Sequence, residues 1–210
     1  MALIIFDYDG VLADTLVDLL QFAQEACNQL GVQHVVTKDD LANLEVVSFA
    51  TYGRACEVPE YLVDEFVKIC LNCFAEKHSP PAIFTGLSNV VRHLAVNHRI
   101  VIVTTNSSQN VNAFLIRHGL EGFIHTIYGV DTPGSKAQKI AMARNQFSEN
   151  REQELTFMVG DSLSDILAAK EASVRSIAVT WGHQTLERLL HGNPDFVVSF
   201  PRDLIDIIEQ

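Results

Sequence analysis

The chain has 210 residues, 48% of them hydrophobic and 20% charged, enough apolar material for a sizeable core and too little polar bias for a disordered chain. Its 15 lysines and arginines against 26 aspartates and glutamates leave a formal charge of −11. That balance works against a nucleic-acid or anionic-membrane surface, because both need clustered bases.

No apolar run approaches the ~18 residues that a spanning helix needs. The first strand-like segment follows Met1 with no basic stretch or cleavage site before it, so the expectation is a cytoplasmic protein with free thiols. Residues 2–6 are an isoleucine-rich apolar run ended by Asp7-Tyr8-Asp9-Gly10, the pattern of a fully buried parallel strand. Residues 15–30 switch to helical spacing, with Leu16, Leu19, Leu20, Ala23 and Cys27 on one face and Gly31 as the stop. Residues 37–44 open like a capped helix, and residues 59–74 read as a further amphipathic helix. Within it, Cys70-Leu71-Asn72-Cys73 is a C-x-x-C with no second pair to complete a zinc site, so buried structural cysteines are expected. No strand-like run appears between Thr15 and Pro80.

Pro80, Pro81 and Gly86 punctuate the chain, and strand and helix then alternate. Strands are expected over residues 99–105, 123–128, 155–159, 176–180 and 196–199. Helices are expected over 109–118, 136–145, 164–172 and 201–208. Such alternation marks an open, mostly parallel sheet with helices on both faces. The predicted fold is α/β: a Rossmann-like core of residues 1–14 and 82–210, interrupted after its first strand by an all-helical cap domain, residues 15–81.

In open α/β sheets ligands bind beyond the carboxyl ends of the strands. The residues standing there are Asp7 and Asp9, then Thr105 and Asn106, then Gly160-Asp161-Ser162-Leu163-Ser164-Asp165, with Lys136 at a helix start nearby. A lone Asp-x-Asp is common in turns; three further strand ends bearing complementary groups carry more weight. Acids crowded in this way point to a hard divalent cation, and oxygen ligands with open water positions suit Mg2+. Gly134-Ser135-Lys136 falls short of a phosphate-binding P-loop, which requires Gly-Lys-Ser/Thr in that order. The eight histidines show no ligand or triad spacing and read mostly as surface residues.

Asp7-Tyr8-Asp9-Gly10-Val11-Leu12-Ala13-Asp14-Thr15 resembles the first motif of haloacid-dehalogenase (HAD) phosphatases. Thr105-Asn106 is similar to the second motif, Lys136 to the third-motif lysine and Gly160–Asp165 to the fourth. Lys139 is the competitor for the third position; Lys136 is favoured because it stands at the helix start. The tail, with Trp181-Gly182 and Pro194-Asp195-Phe196, resembles phosphoglycolate-phosphatase-like members with a helical cap. The resemblance implies Asp7 as covalent nucleophile, Asp9 as acid and base, and Thr105, the Asn106 N–H and Lys136 around the phosphoryl group. It further implies Mg2+ on the Asp7 and Asp161 side chains and the Asp9 carbonyl, with Asp165 orienting Lys136 or metal-bound water. Asp9 speaks for phosphate esters over organohalides or phosphonates. Leu19 stands where the related sugar-phosphate mutases carry a histidine, which favours a phosphatase over a mutase. A non-catalytic phosphate-sensing or partner-binding module is the alternative of another class, and no catalytic group is missing as that would require. The expected substrate is a small phosphorylated metabolite, phosphoglycolate among the candidates, contacted from the cap by Thr15 at the hinge and Arg54 in a polar loop.

Overall fold

The computed structural model describes residues 1–77, 80–147 and 155–210. β1 (Leu3–Phe6) leads through a tight turn into β2 (Ala13–Asp14). Four helices follow: α1 (Leu16–Leu30), α2 (Lys38–Ala42), α3 (Phe49–Ala55) and α4 (Val63–Glu76). The chain returns through β3 (Ala82–Ile83), which pairs antiparallel with β2, so the outgoing and incoming strands form one short ribbon. Then come α5 (Leu87–Leu94), β4 (Arg99–Val103), α6 (Ser108–His118), β5 (Thr126–Tyr128), α7 (Lys136–Phe147) and β6 (Thr156–Gly160). Last are α8 (Leu163–Glu171), β7 (Arg175–Val179), α9 (Leu186–Leu190), β8 (Phe196–Val198) and α10 (Asp203–Ile208).

Six strands form one parallel sheet in the order β5-β4-β1-β6-β7-β8. All of β1 is buried because both faces of the sheet are covered. Ile4 and Phe6 pack with Leu87 and Leu94 of α5, Phe114 of α6 and Leu204 of α10. Leu3 and Ile5 point the other way, onto Ile140 and Ala143 of α7 and Ala169 of α8. The chain runs outward from β1 through β4 to β5, crosses back, and runs outward again through β6, β7 and β8. At that reversal the carboxyl ends of β1, β4 and β6 open a crevice, the usual ligand position in such sheets.

The helical stretch buries its own cluster: Phe22, Ala23 and Cys27 of α1, Leu41 of α2, Tyr52 of α3, and Phe66 and Cys70 of α4. Gly31 ends α1 in the left-handed conformation, at φ +71°. Thr37 begins α2 with a capping box closed by Asp40. Cys27, Cys56 and Cys70 are buried free thiols, and Cys73 is half-buried. Among the described residues no helix is long and apolar enough to cross a membrane.

Three local expectations are corrected. The polar loop expected around Arg54 is helix α3, begun by a capping box between Ser48 and Thr51. Gly53 at its centre weakened the helical signal, yet it is needed: a Cβ there would lie 2.8 Å from the Phe66 ring. The strand expected over residues 123–128 is split into a 3-10 turn at Glu121–Phe123 and the three-residue β5. The helix expected over residues 59–74 begins as a 3-10 turn at Glu60–Leu62 before α4. The expected helical cap includes residues 78–79, which lie outside the described residues.

Candidate active site

The turn after β1 is wound around one carbonyl: the N–H groups of Val11, Leu12 and Ala13 all donate to Tyr8 O, at 3.3, 3.0 and 3.0 Å. This holds Asp7 and Asp9 at the end of the strand. Gly10 sits at φ +74°, and a Cβ on it would stand 2.0 Å from Asp161 Oδ2. Only glycine lets the ends of β1 and β6 approach this closely. Gly182 guards the same carboxylate from the far side, where a Cβ would be 2.4 Å from Asp161 Oδ2.

Lys136, the first residue of α7, reaches between two of these acids. Its Nζ lies 2.6 Å from Asp165 Oδ1 and 3.2 Å from Asp7 Oδ1. Asp165 Oδ2 accepts hydrogen bonds from the Ser162 N–H and hydroxyl, at 3.1 and 2.6 Å, within the capping box that starts α8. Both oxygens of Asp165 are thus engaged by protein groups. Asp7 Oδ1 differs: it is buried and accepts no hydrogen bond. Lys139 points elsewhere, donating at 2.6 Å to Gly129 O, so Lys136 is the lysine at the strand ends.

Asn106 hangs from β4 by a hydrogen bond from its N–H to Thr104 Oγ1, 3.0 Å. Its Nδ2 donates to Asp9 Oδ2 at 3.1 Å, while its Oδ1 accepts from the Ser107 N–H and Asn110 Nδ2. Asp9 is therefore held from the β4 side. Thr105 is exposed and lines the cavity above these groups.

The electrostatics follow from crowding carboxylates out of water. Burial is the largest influence on Asp7 and pushes its pKa well up; Lys136 opposes, and Asp165, Asp161 and Asp9 push further. Burial likewise raises Asp161 to about 7, reinforced by Asp165 and opposed by the His183 N–H. Asp9 is raised by burial against the Asn106 hydrogen bond, His183 and Thr15. Burial works to lower Lys136, but Asp165 and Asp7 together outweigh it and hold the ammonium above its ordinary value. One lysine leaves this set short of positive charge.

Oxygen atoms of Asp7, Asp161 and Asp165 lie within 4.8 Å of one another. With Asp7 Oδ1 facing only Lys136, this is an all-oxygen donor set that fits a hard divalent cation. A second grouping, His34, Asp40 and Cys56, lies among the helices. There Asp40 Oδ2 already accepts from the Thr37 N–H and hydroxyl in the α2 cap.

His183 belongs to the site, against the expectation of a surface histidine. It is 6% exposed; its N–H donates to Asp161 Oδ2 at 2.7 Å, its Nδ1 lies 3.4 Å from the same oxygen, and its Nε2 is 3.3 Å from Thr15 Oγ1. Burial lowers its pKa against the pull of Asp9, Asp14 and Asp165. The signal that would have found it was available: Trp181-Gly182-His183 follows the end of β7, as Asp161 follows the end of β6. Two cap expectations also change. Thr15 is buried against His183 instead of facing the cavity. Arg54 turns outward and is forked by the exposed Glu60, with Nε and Nη2 at 2.8 and 2.6 Å from its carboxylate oxygens. It does not line the cavity.

The cavity holds about 560 Å3. Its floor is Asp7, Asp9, Asn106, Lys136, Asp161 and His183; its roof is drawn from α1 to α4 and includes Leu19, Val47, Phe49, Tyr52, Leu71 and Phe74. Gln184 ties the two together, its Nε2 donating to Leu44 O at 2.7 Å.

Residues 4–179 match the family described as haloacid dehalogenase-like hydrolase. The chain belongs to that family. It is 26% identical over 211 residues to a phosphoglycolate phosphatase of Synechococcus elongatus, covering 100% of this chain and 98% of that one. A phosphoglycolate phosphatase of Vibrio cholerae is 29% identical over 220 residues, covering 98% and 96%. A haloacid dehalogenase-like family hydrolase from Streptococcus pneumoniae has the same fold, with a TM-score of 0.85 at 22% identity over 99% of this chain and 98% of that one. The family description makes the protein a hydrolase, and over nearly its whole length it is similar to these phosphoglycolate phosphatases.

Proposed function

We propose that this HAD hydrolase is a Mg2+-dependent phosphatase that cleaves a small phosphorylated metabolite through an aspartyl-phosphate on Asp7. The observation that carries the reading is the buried Asp7 Oδ1, met only by Lys136 at 3.2 Å, at the mouth of the strand reversal and among carboxylates that demand more positive charge than one lysine supplies. Asp7 would attack phosphorus in line, forming an O–P bond as the ester P–O bond breaks. Asp9 would hand its proton to the departing alkoxide; burial raises its pKa, the direction that favours a proton donor. In the second half Asp9 would take a proton from water as that water attacks phosphorus, freeing inorganic phosphate and restoring the Asp7 carboxylate. Asn106 orients Asp9 for both steps. Thr105 would hold phosphoryl oxygens, joined by the Asn106 N–H once it gives up its bond to Thr104 Oγ1, and Lys136 would balance charge on Asp7 and the transferring group. Asp7, Asp161 and the Asp9 carbonyl would hold Mg2+, which supplies the charge that lets two anions meet. Asp165, with both oxygens taken up, serves to fix Lys136.

The reading includes the division into a core of residues 1–14 and 82–210 and a helical cap, 15–81. The separate apolar cluster of the helices and the β2–β3 ribbon at their base support it. Leu19 lines the cavity with a side chain that cannot exchange a proton, which supports hydrolysis over mutase chemistry. A net charge of −11 and free thiols support a cytoplasmic enzyme without nucleic-acid or membrane partners. The test is phosphate release from a panel of phosphate esters, phosphoglycolate included, with and without Mg2+. Release that needs the metal and vanishes in Asp7→Asn is expected; release that survives in Asp7→Asn overturns the mechanism.

A further inference from the structure

The roof of the cavity carries a chemical signature of its own. Of the residues that line the space, Lys136 and His183 are the only bases, and both face the floor. Lys136 is engaged by Asp165 and Asp7, and His183 by Asp161 and Thr15. Among the described residues the roof offers no arginine or lysine to the cavity: Arg54, the cap arginine in reach by sequence, is turned out to Glu60. α3 is a seven-residue helix, and the Thr51 N–H at its start is already taken by Ser48. What the roof does offer is mostly hydrocarbon, with Ser48 and the unpartnered Tyr52 hydroxyl as its polar groups. Val46 and Leu71 are 57% and 52% exposed and line this cavity from the roof, and Val130, 63% exposed, lines it from the segment between β5 and α7. Large side chains left wet inside a concave site mark a surface that a ligand covers.

A second anionic group on the substrate would find no uncommitted lysine or arginine among the described residues that line this space, and would leave the wet hydrocarbon beside it uncovered. A volume of about 560 Å3 is also generous for a two-carbon ester. Resting on the phosphatase reading above, we propose that the ester cleaved here carries an uncharged, apolar alcohol, as in an aromatic or alkyl monophosphate, and not one bearing a carboxylate or second phosphate. The phosphoryl group would occupy the floor, and the alcohol would lie against Leu19, Val47, Phe49, Leu71 and Phe74.

The experiment compares kcat/KM for phenyl phosphate and hexyl phosphate with that for phosphoglycolate, in the parent and in Leu71→Arg, with Mg2+. Leu71 is half exposed, so an arginine is accommodated there without disturbing the core. The parent should prefer the apolar esters by at least about tenfold, the worth of a hydrophobic contact in a selective pocket. Leu71→Arg should narrow or reverse that ratio by raising kcat/KM for phosphoglycolate. A parent that handles phosphoglycolate as well as or better than the apolar esters overturns this inference while leaving the phosphatase reading intact. A Leu71→Arg ratio unchanged from the parent overturns the placement of the alcohol against the roof. Release of phosphate from none of the three overturns the phosphatase reading, and this inference with it.

Discussion

The floor of the cavity gathers Asp7, Asp9, Asp161 and Lys136, with Lys136 paired to Asp7 and Asp165, while the roof presents mainly leucine, valine and phenylalanine to the same space. The floor residues come from the ends of strands β1 and β6 and the start of α7, elements whose register is fixed by a fully buried parallel sheet. The roof comes from short helices whose own packing is separate from that sheet. The difference teaches where each half of an enzyme's task is placed. Groups that must hold an atom to a fraction of an ångström stand on the rigid sheet, and groups that only need to match a shape stand on the helices.

If the floor is where chemistry resides, the largest effect belongs to Asp7→Asn. Turnover should fall by at least about 10^4-fold, the scale of losing a covalent nucleophile. The same change removes one of several crowded buried acids, so the metal-free protein should unfold at a higher urea concentration than the parent. A variant that loses activity and stability together would mean that Asp7 is a structural ion-pair member first.

Lys136→Met comes next. It removes the ammonium between Asp165 and Asp7 and strands two buried carboxylates, a loss on the order of 3–5 kcal/mol at neutral pH without metal. Acid should restore part of it, because burial raises the Asp7 pKa and protonating that carboxylate removes its unpaired charge. Urea titrations at pH 7 and pH 4 check both halves; an equal deficit at the two pH values would break the electrostatic account.

Metal removal gives a smaller and directional effect. Burial lifts Asp161 to about 7, so the folded metal-free protein holds a proton that the unfolded chain has already released. Its stability should therefore fall as pH rises from about 4 towards 7, and be fullest below the ordinary carboxylate pKa. Mg2+ should oppose that fall by binding the charged form, with a gain near 2.7 kcal/mol at a hundredfold excess over its dissociation constant. Thermal melts in EDTA and in Mg2+ across that range are the measurement. Parallel curves would sever the link between the crowded acids and the cation.

The two halves also differed in how legible they were. Six strand ends could be read from apolar runs, because parallel strands buried on both faces are written as continuous Ile and Val. The polar residue after each run then points to the crevice. Asp7, Asp161 and Asn106 were found in that way, and His183 escaped only because the rule was not carried to β7. The roof obeys no such rule. α3 is seven residues long, carries a glycine at its centre and is held by a capping box and the Phe66 ring, a tertiary contact that no local pattern encodes. The same blindness gave Arg54 a place it does not occupy, since the direction of a long side chain depends on its partner Glu60.

Arg54→Ala should for that reason be the mildest change of all. If a roof arginine clamped an anionic substrate, its loss would raise KM for phosphoglycolate steeply and leave apolar esters alone. With the guanidinium forked on Glu60 at the outer surface, it is expected to leave kcat/KM unchanged for every ester, and the melting temperature nearly so. A KM rise confined to carboxylated substrates would show that the helices swing Arg54 inward when substrate arrives. The roof would then carry a charge after all, and its contrast with the floor would hold only for the protein at rest.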